Sequence, residues 1–258
     1  MMWAKKSLGQ NFLKSPAVLG KIISAGEIAE SDTVLEIGPG KGTLTQALLR
    51  HAGRVIAVEK DEKLFEFLQT KFAEEIKSGK LISIRDDILN LNASAYRLEP
   101  SGYKIIANIP YNITGAVLKK FLTAKNQPSL MVLMLQKEVA QRIMDKKGSL
   151  LSVSTKVYGS PSMVAKVPAR FFSPRPKVDS AIIKIEDISR KNFTQNGVKE
   201  EKFFEIVRAG FGHKRKKLQN NLKNSIPKEK LAELGFADKR AEDLSPKDWF
   251  GLVKSCYN

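Results

Sequence analysis

Short apolar runs recur through the first half of the chain, and each is followed at once by residues with chemistry to offer. Residues 33–37 lead into Gly38-Pro39-Gly40-Lys41-Gly42, 54–58 into Glu59, 81–84 into Arg85-Asp86-Asp87-Ile88, and 103–107 into Asn108-Ile109-Pro110-Tyr111-Asn112. Brief apolar runs alternating with helical patterns read as strands of a parallel sheet buried on both faces. Open α/β sheets bind ligands beyond the carboxyl ends of their strands. Four strand ends therefore bring polar side chains to one edge of one sheet, and this convergence constrains the chain more than any single motif.

The intervening segments have helical spacing. Ser15 is a predicted N-cap with Pro16 at the first helical position, followed by an apolar face of Leu19, Ile22 and Ile23. Leu44, Ala47 and Leu48 mark a helix over 43–50, and Leu64, Phe65, Leu68 and Phe72 mark the next. Residues 130–136 read as a fifth strand, apolar up to Gln136, and helices are expected from 137 and over 148–158. Two last strands, 163–167 and 181–185, bracket a stiff basic loop, Phe171-Phe172-Ser173-Pro174-Arg175-Pro176-Lys177-Val178. The polar stretch 189–199 reads as a linker, giving domains 1–188 and 189–258. Beyond it strand signals stop. Phe203, Phe204, Val207 and Phe211 share a helical face, and Leu218, Leu222, Leu231, Leu234, Leu244, Trp249, Leu252 and Val253 supply a small helical core.

Charge points to the partner. The chain of 258 residues carries a net charge of +17. The excess is spread over both halves, which favours a polyanion, and nucleic acid is the commonest one. The sharpest excess lies in 137–177, and a second basic run is His213-Lys214-Arg215-Lys216-Lys217. No apolar run is long enough for a bilayer, and the N-terminus lacks the apolar core of a signal peptide, so a cytoplasmic protein is expected. A lone cysteine, Cys256, excludes an intrachain disulfide and a cysteine-rich metal site.

The glycine turn is G-x-G-x-G, neither the dinucleotide fingerprint nor a P-loop. Glu36, just before it, would repel a pyrophosphate but would accept hydrogen bonds from an ammonium-bearing ligand, which points to S-adenosylmethionine. Gly38 and Gly40 let such a ligand approach the backbone. Glu59, at the end of the second strand, is placed to hold ribose hydroxyls. Asp87 would bind an adenine amine while Ile88 covers the ring. Asn108 and the carbonyl of Ile109 or Pro110 suit the two hydrogens of an exocyclic amine, Pro110 contributes no competing N–H, and Tyr111 offers a face for stacking. Phe172 could stack a flipped base opposite Tyr111, with Arg175 and Lys177 touching phosphates. No metal is expected among these groups, since no His or Cys clusters near the acids.

Taken in order, these motifs resemble those of the KsgA-type small-subunit rRNA adenine dimethyltransferases, from Lys5 to Trp249. Lys6-Ser7-Leu8-Gly9-Gln10-Asn11-Phe12-Leu13 resembles that family's N-terminal motif, which implies cofactor contacts at Gln10, Asn11 and Leu13. Residues 36–40, Glu59, Asp87 and 108–112 resemble its glycine, ribose, adenine and catalytic motifs. Phe172-x-Pro174-x-Pro176-x-Val178-x-Ser180 resembles its target-base loop. The resemblance implies a Rossmann-like methyltransferase domain with a seven-stranded sheet, its last strand antiparallel, followed by a small all-α domain. It further implies a monomer acting on adenine N6 of small-subunit rRNA in a pre-ribosomal particle. The family's basic helix usually reads Phe-x-x-Arg-Arg-Lys. Here Phe211-Gly212-His213-Lys214-Arg215-Lys216 keeps the charge, but Lys214 cannot make an arginine's bidentate phosphate contact. Two other readings share parts of the pattern: a resistance-type methyltransferase of large-subunit rRNA, and an RNA-binding assembly factor without turnover.

Overall fold

The computed structural model describes residues 10–257; the expectations placed on Lys6 to Gly9 lie outside the described residues. In chain order the elements are β1 Phe12–Leu13, α1 Pro16–Gly26, β2 Thr33–Ile37, α2 Thr43–His51, β3 Arg54–Glu59, α3 Glu62–Lys71, α4 Ala73–Lys77, β4 Leu81–Arg85, β5 Tyr103–Asn108, α5 Thr114–Leu122 and β6 Leu130–Gln136. Then come α6 Lys137–Met144, α7 Leu150–Lys156, β7 Ser160–Val167, β8 Phe172–Ser173, β9 Ser180–Glu186, α8 Lys191–Asn196, α9 Glu200–Gly210, α10 Leu218–Asn221, α11 Lys228–Glu233 and α12 Pro246–Tyr257.

Seven strands form one sheet in the order β4-β3-β2-β5-β6-β9-β7. β4, β3, β2, β5 and β6 run parallel, and β9 is antiparallel to both β6 and β7. From β2 the chain first builds outward through β3 and β4, then crosses to β5 on the other side. Strand order reverses between β2 and β5, and this reversal opens a crevice at their carboxyl ends. The strands are apolar because both sheet faces are covered: Val34, Leu35, Val55, Ile56, Ile105, Ile106 and Leu133 are fully buried. α1 begins as its sequence dictates. The Ser15 side chain accepts from the Val18 N–H, Pro16 opens the helix, and Ile22 on its inner face is fully buried, worth about 1.5–3 kcal/mol. A separate two-stranded ladder pairs β1 with β8, with Leu13 opposite Phe172.

The compact units divide differently from the expected boundary. The sheet unit comprises the described residues up to Ala140 together with Ser160–Ile188, and Gln141–Gly159 joins the chain from Ser189 onward in a helical unit. Tyr158 is the reason. Its ring lies 5.4 Å from Phe193 and 5.9 Å from Phe204, and its hydroxyl donates to Glu200, which Arg190 also holds at 2.8 Å. The expected linker is also partly helical. α8 occupies it, buries Phe193 in that aromatic cluster, and ends on Gly197 in the left-handed conformation. One apolar residue among polar ones gave a weak signal, yet it is the residue that docks the helix.

Within the helical unit Phe203, Ile206, Val207, Leu218, Leu222, Leu231, Leu244, Trp249, Leu252 and Val253 are buried, whereas Leu234 is half-buried. The basic run is not helical. α9 ends at Gly210, His213 to Lys217 are exposed in an irregular segment, and the Asn221 side chain donates to the carbonyls of Gly210 and His213. Among the described residues no helix is long and apolar enough to cross a membrane.

Candidate active site

The crevice at the carboxyl ends of β2 and β5 is lined by Gln10, Asn11, Leu13, Glu36, Gly38, Gly40, Glu59, Lys60, Asp87, Ile88, Asn108, Pro110 and Tyr111, among others. Every cofactor residue expected from sequence therefore lines one cavity, contributed by the ends of β2, β3, β4 and β5 with the turns after them and by the N-terminal segment around β1.

Glu36 is the penultimate residue of β2 and is 1% exposed. Its Oε2 has no hydrogen-bond partner within the protein. Burial drives its carboxyl up to about 8, with Thr45 opposing the shift, Glu59 adding to it and Lys71 opposing it more weakly. A buried acid in this condition is satisfied by a cationic donor placed in the cavity. The turn beyond it is shaped for close approach: Gly38 and Gly40 have φ of +64° and +60°, and a side chain at Gly40 would come within 2.9 Å of the Phe12 ring. These are observations a bound S-adenosylmethionine fits, with an ammonium group for Glu36 and backbone room beside the glycines.

Glu59 ends β3 and spans the floor of the site. Its Oε2 accepts from the Gly40 N–H at 3.0 Å and its Oε1 from the Asp61 N–H at 2.9 Å. Burial raises this carboxyl and the two backbone bonds oppose the rise. The bonds fix the carboxylate while leaving lone pairs for a ligand's hydroxyls. Asp61, the N-cap of α3, also accepts from the Gln10 side chain at 3.2 Å, which ties the N-terminal segment to the Glu59 end of the cavity. Asp87 sits after β4, where Lys60 donates to its Oδ2 at 2.8 Å and the Leu89 N–H to its Oδ1 at 2.9 Å. The hydrogen bond from Lys60 holds this carboxyl below the usual range. Neither the Lys60 partner nor the Asp61 anchor was foreseen, although an Asp at the head of a helical pattern is an N-cap signal.

At the end of β5 the Asn108 side chain donates from Nδ2 to the main-chain oxygen of Asn11 at 3.1 Å. The Ile109 N–H donates to Met134 O and the Pro110 carbonyl accepts from the Ile113 N–H, so the strand end is held on both sides. Tyr111 follows in a 3₁₀ turn with its ring half-buried and its hydroxyl 2.7 Å from Ser180 Oγ. Burial raises the phenol, so it stays protonated. Phe172 is placed differently from the expected stacking ring. At 2% exposure it packs in the apolar core with Leu13 and does not line the cavity. The cause is its pairing in the β1–β8 ladder, extended by the Lys14 N–H to Phe171 O bond of 2.8 Å. Arg175 and Lys177 are exposed on the loop beyond, and Lys214, Arg215 and Lys216 are exposed in the helical unit.

A mixed sheet with this strand order, an acid ahead of a glycine turn, a second acid one strand over and an asparagine, a proline and a tyrosine within residues 108–111 at a strand end define a Rossmann-like methyltransferase dependent on S-adenosylmethionine. Residues 1–257 match the family model described as ribosomal RNA adenine dimethylase, and the chain belongs to that family. It is 44% identical over 255 residues to the ribosomal RNA small subunit methyltransferase A of Dehalococcoides mccartyi strain CBDB1, covering 95% of this chain and 86% of that one. Its counterpart from Acaryochloris marina is 37% identical, covering 98% and 97%. Among solved structures, a dimethyladenosine transferase from Plasmodium falciparum superposes with a TM-score of 0.78 at 28% identity, covering 93% of this chain and 95% of that one. The 23S rRNA methyltransferase ErmE superposes with a TM-score of 0.73 at 25% identity, covering 96% and 100%.

Proposed function

We propose that the protein dimethylates N6 of two adjacent adenines in the 3′-terminal hairpin loop of small-subunit rRNA, acting as a monomer on a pre-ribosomal particle in the cytoplasm. The observation that carries this reading is the Asn108 bond to Asn11. With its NH₂ group committed to a main-chain carbonyl, the amide has its oxygen as the remaining acceptor, which suits the N–H of an exocyclic amine. The relatives of 37–44% identity named as small subunit methyltransferases match nearly end to end, whereas the large-subunit enzyme ErmE stands at 25%.

When bound, S-adenosylmethionine supplies an electrophilic methyl group. Glu36 would accept from its ammonium, Glu59 from the ribose hydroxyls and Asp87 from the adenine amine. Ile88 and Leu13 would cover apolar surface, and Gln10 and Asn11 would close the N-terminal side. Adenine N6 is a poor nucleophile because its lone pair is delocalised into the ring. Asn108 Oδ1 and the Ile109 carbonyl would draw its two hydrogens into a geometry that frees the lone pair; the Pro110 carbonyl already accepts from Ile113. Positioning is the main catalytic lever, and no general base is needed before the product's proton is lost to water. Tyr111 would stack on the target base, worth roughly 1–3 kcal/mol against a flipping cost of a few kcal/mol. Phe172, buried opposite Leu13 in the β1–β8 ladder, would act as core beneath the basic loop and not as a second stacking ring. Arg175, Lys177, Lys214, Arg215 and Lys216 would bind phosphates. Incubation with unmethylated small subunits and S-adenosylmethionine, followed by mass analysis of rRNA fragments, tests the reading. The 3′ hairpin fragment is expected to gain two methyl groups on each of two adenines, and an unmodified hairpin would refute it.

A further inference from the structure

We infer that Ser180 is a positioning residue for methyl transfer, its hydroxyl holding the Tyr111 ring in the attitude that receives the target base. The inference rests on the stacking role proposed for Tyr111 and adds the group that fixes the ring. Tyr111 follows β5 in a 3₁₀ turn, lines the cavity, and has its hydroxyl 2.7 Å from Ser180 Oγ. A phenyl ring on a turn is free to pivot about its side-chain torsions; a hydrogen bond at its far end removes that freedom.

Ser180 is a rigid reference point. It is fully buried as the first residue of β9, where it pairs with Gln136 of β6 on one side and Val167 of β7 on the other. Asp179 immediately before it is bonded from two directions: its side chain accepts from the Ala169 N–H at 2.9 Å, and its carbonyl from the Lys137 N–H at 3.0 Å. Ser180 therefore cannot follow a moving tyrosine without disturbing three strands. The bond also joins two motifs 69 positions apart, the catalytic strand end and the root of the basic loop. Removing the serine hydroxyl leaves a half-buried phenol without that partner, and the ring turns to regain one elsewhere.

The test is a double-mutant cycle on the single-turnover methyl-transfer rate, using unmethylated small subunits and saturating S-adenosylmethionine. Ser180→Ala and Tyr111→Phe are each expected to slow transfer by about 5- to 10-fold, the loss of one hydrogen bond. The double variant should be no slower than either single one. Affinity for S-adenosylmethionine should stay unchanged, and 2-aminopurine at the target position should show altered fluorescence on binding in both variants. Losses that multiply, or a Tyr111→Phe protein at the wild-type rate, would overturn the inference. If Ser180→Ala does not fold, Tyr111→Phe alone decides. Tyr111→Ala separates the two levels: strong loss there with none in Tyr111→Phe removes only the positioning role, whereas no loss in Tyr111→Ala removes the stacking role as well.

Discussion

Asn108 Nδ2 donates to the carbonyl of Asn11 across 97 positions of sequence, so the N-terminal segment sets the direction of the Asn108 amide. Asn108→Ala is expected to lower the single-turnover rate by about 10²–10³-fold, the scale of losing an oriented donor or acceptor at a reacting centre. RNA affinity should change little, because phosphate contacts dominate it. Parallel filter-binding and single-turnover assays check both halves of the expectation.

Glu59 is already bonded to two backbone N–H groups, so its carboxylate is aimed before any ligand arrives. Glu59→Ala should weaken S-adenosylmethionine by about 1.5–3 kcal/mol, the value of hydrogen bonds to a charged group. Calorimetric titration with unchanged affinity would remove the ribose assignment.

Glu36 makes stability depend on pH. Its carboxyl is raised from 4.5 to about 8, so between those values the folded state holds a proton that the unfolded chain has released. Its contribution is therefore full below about pH 4.5 and lost as pH rises through about 8, with a slope of up to about 1.4 kcal/mol per pH unit. Glu59 shifts in the same direction. Urea unfolding without ligand should show stability falling over this window, and Glu36→Gln should flatten the fall. A profile identical to wild type in Glu36→Gln would contradict the assignment.

Phe172 at 2% exposure is first a core residue. Phe172→Ala is expected to cost about 3–5 kcal/mol of stability through the cavity it leaves. Denaturant unfolding measures this directly, and a loss of less than about 1 kcal/mol would mean that the ring is not packed as described.

The strand ends were legible because each rule involved is local. An apolar run, a glycine turn and an acid at its edge place Glu36, Glu59, Asp87 and Asn108 without tertiary information, and Ser15-Pro16 announces α1. What escaped was set by long-range pairing. Phe172 reads as a loop aromatic until its register opposite Leu13 is known, and Ser180 is an ordinary strand residue until Tyr111 reaches it. The expected boundary missed 141–159 because Tyr158 finds its aromatic partners only after the sheet unit has intervened in sequence. Lys60 on Asp87 is a surface pairing that no pattern encodes.

The most direct test of the central claim offers unmethylated small subunits, unmethylated large subunits and free adenosine side by side, with methyl-labelled S-adenosylmethionine. Label is expected in small-subunit rRNA, confined to the adjacent adenines of the 3′ hairpin, and should fall steeply with added salt as phosphate contacts are screened. Label appearing chiefly in large-subunit rRNA, or in free adenosine, would contradict the account.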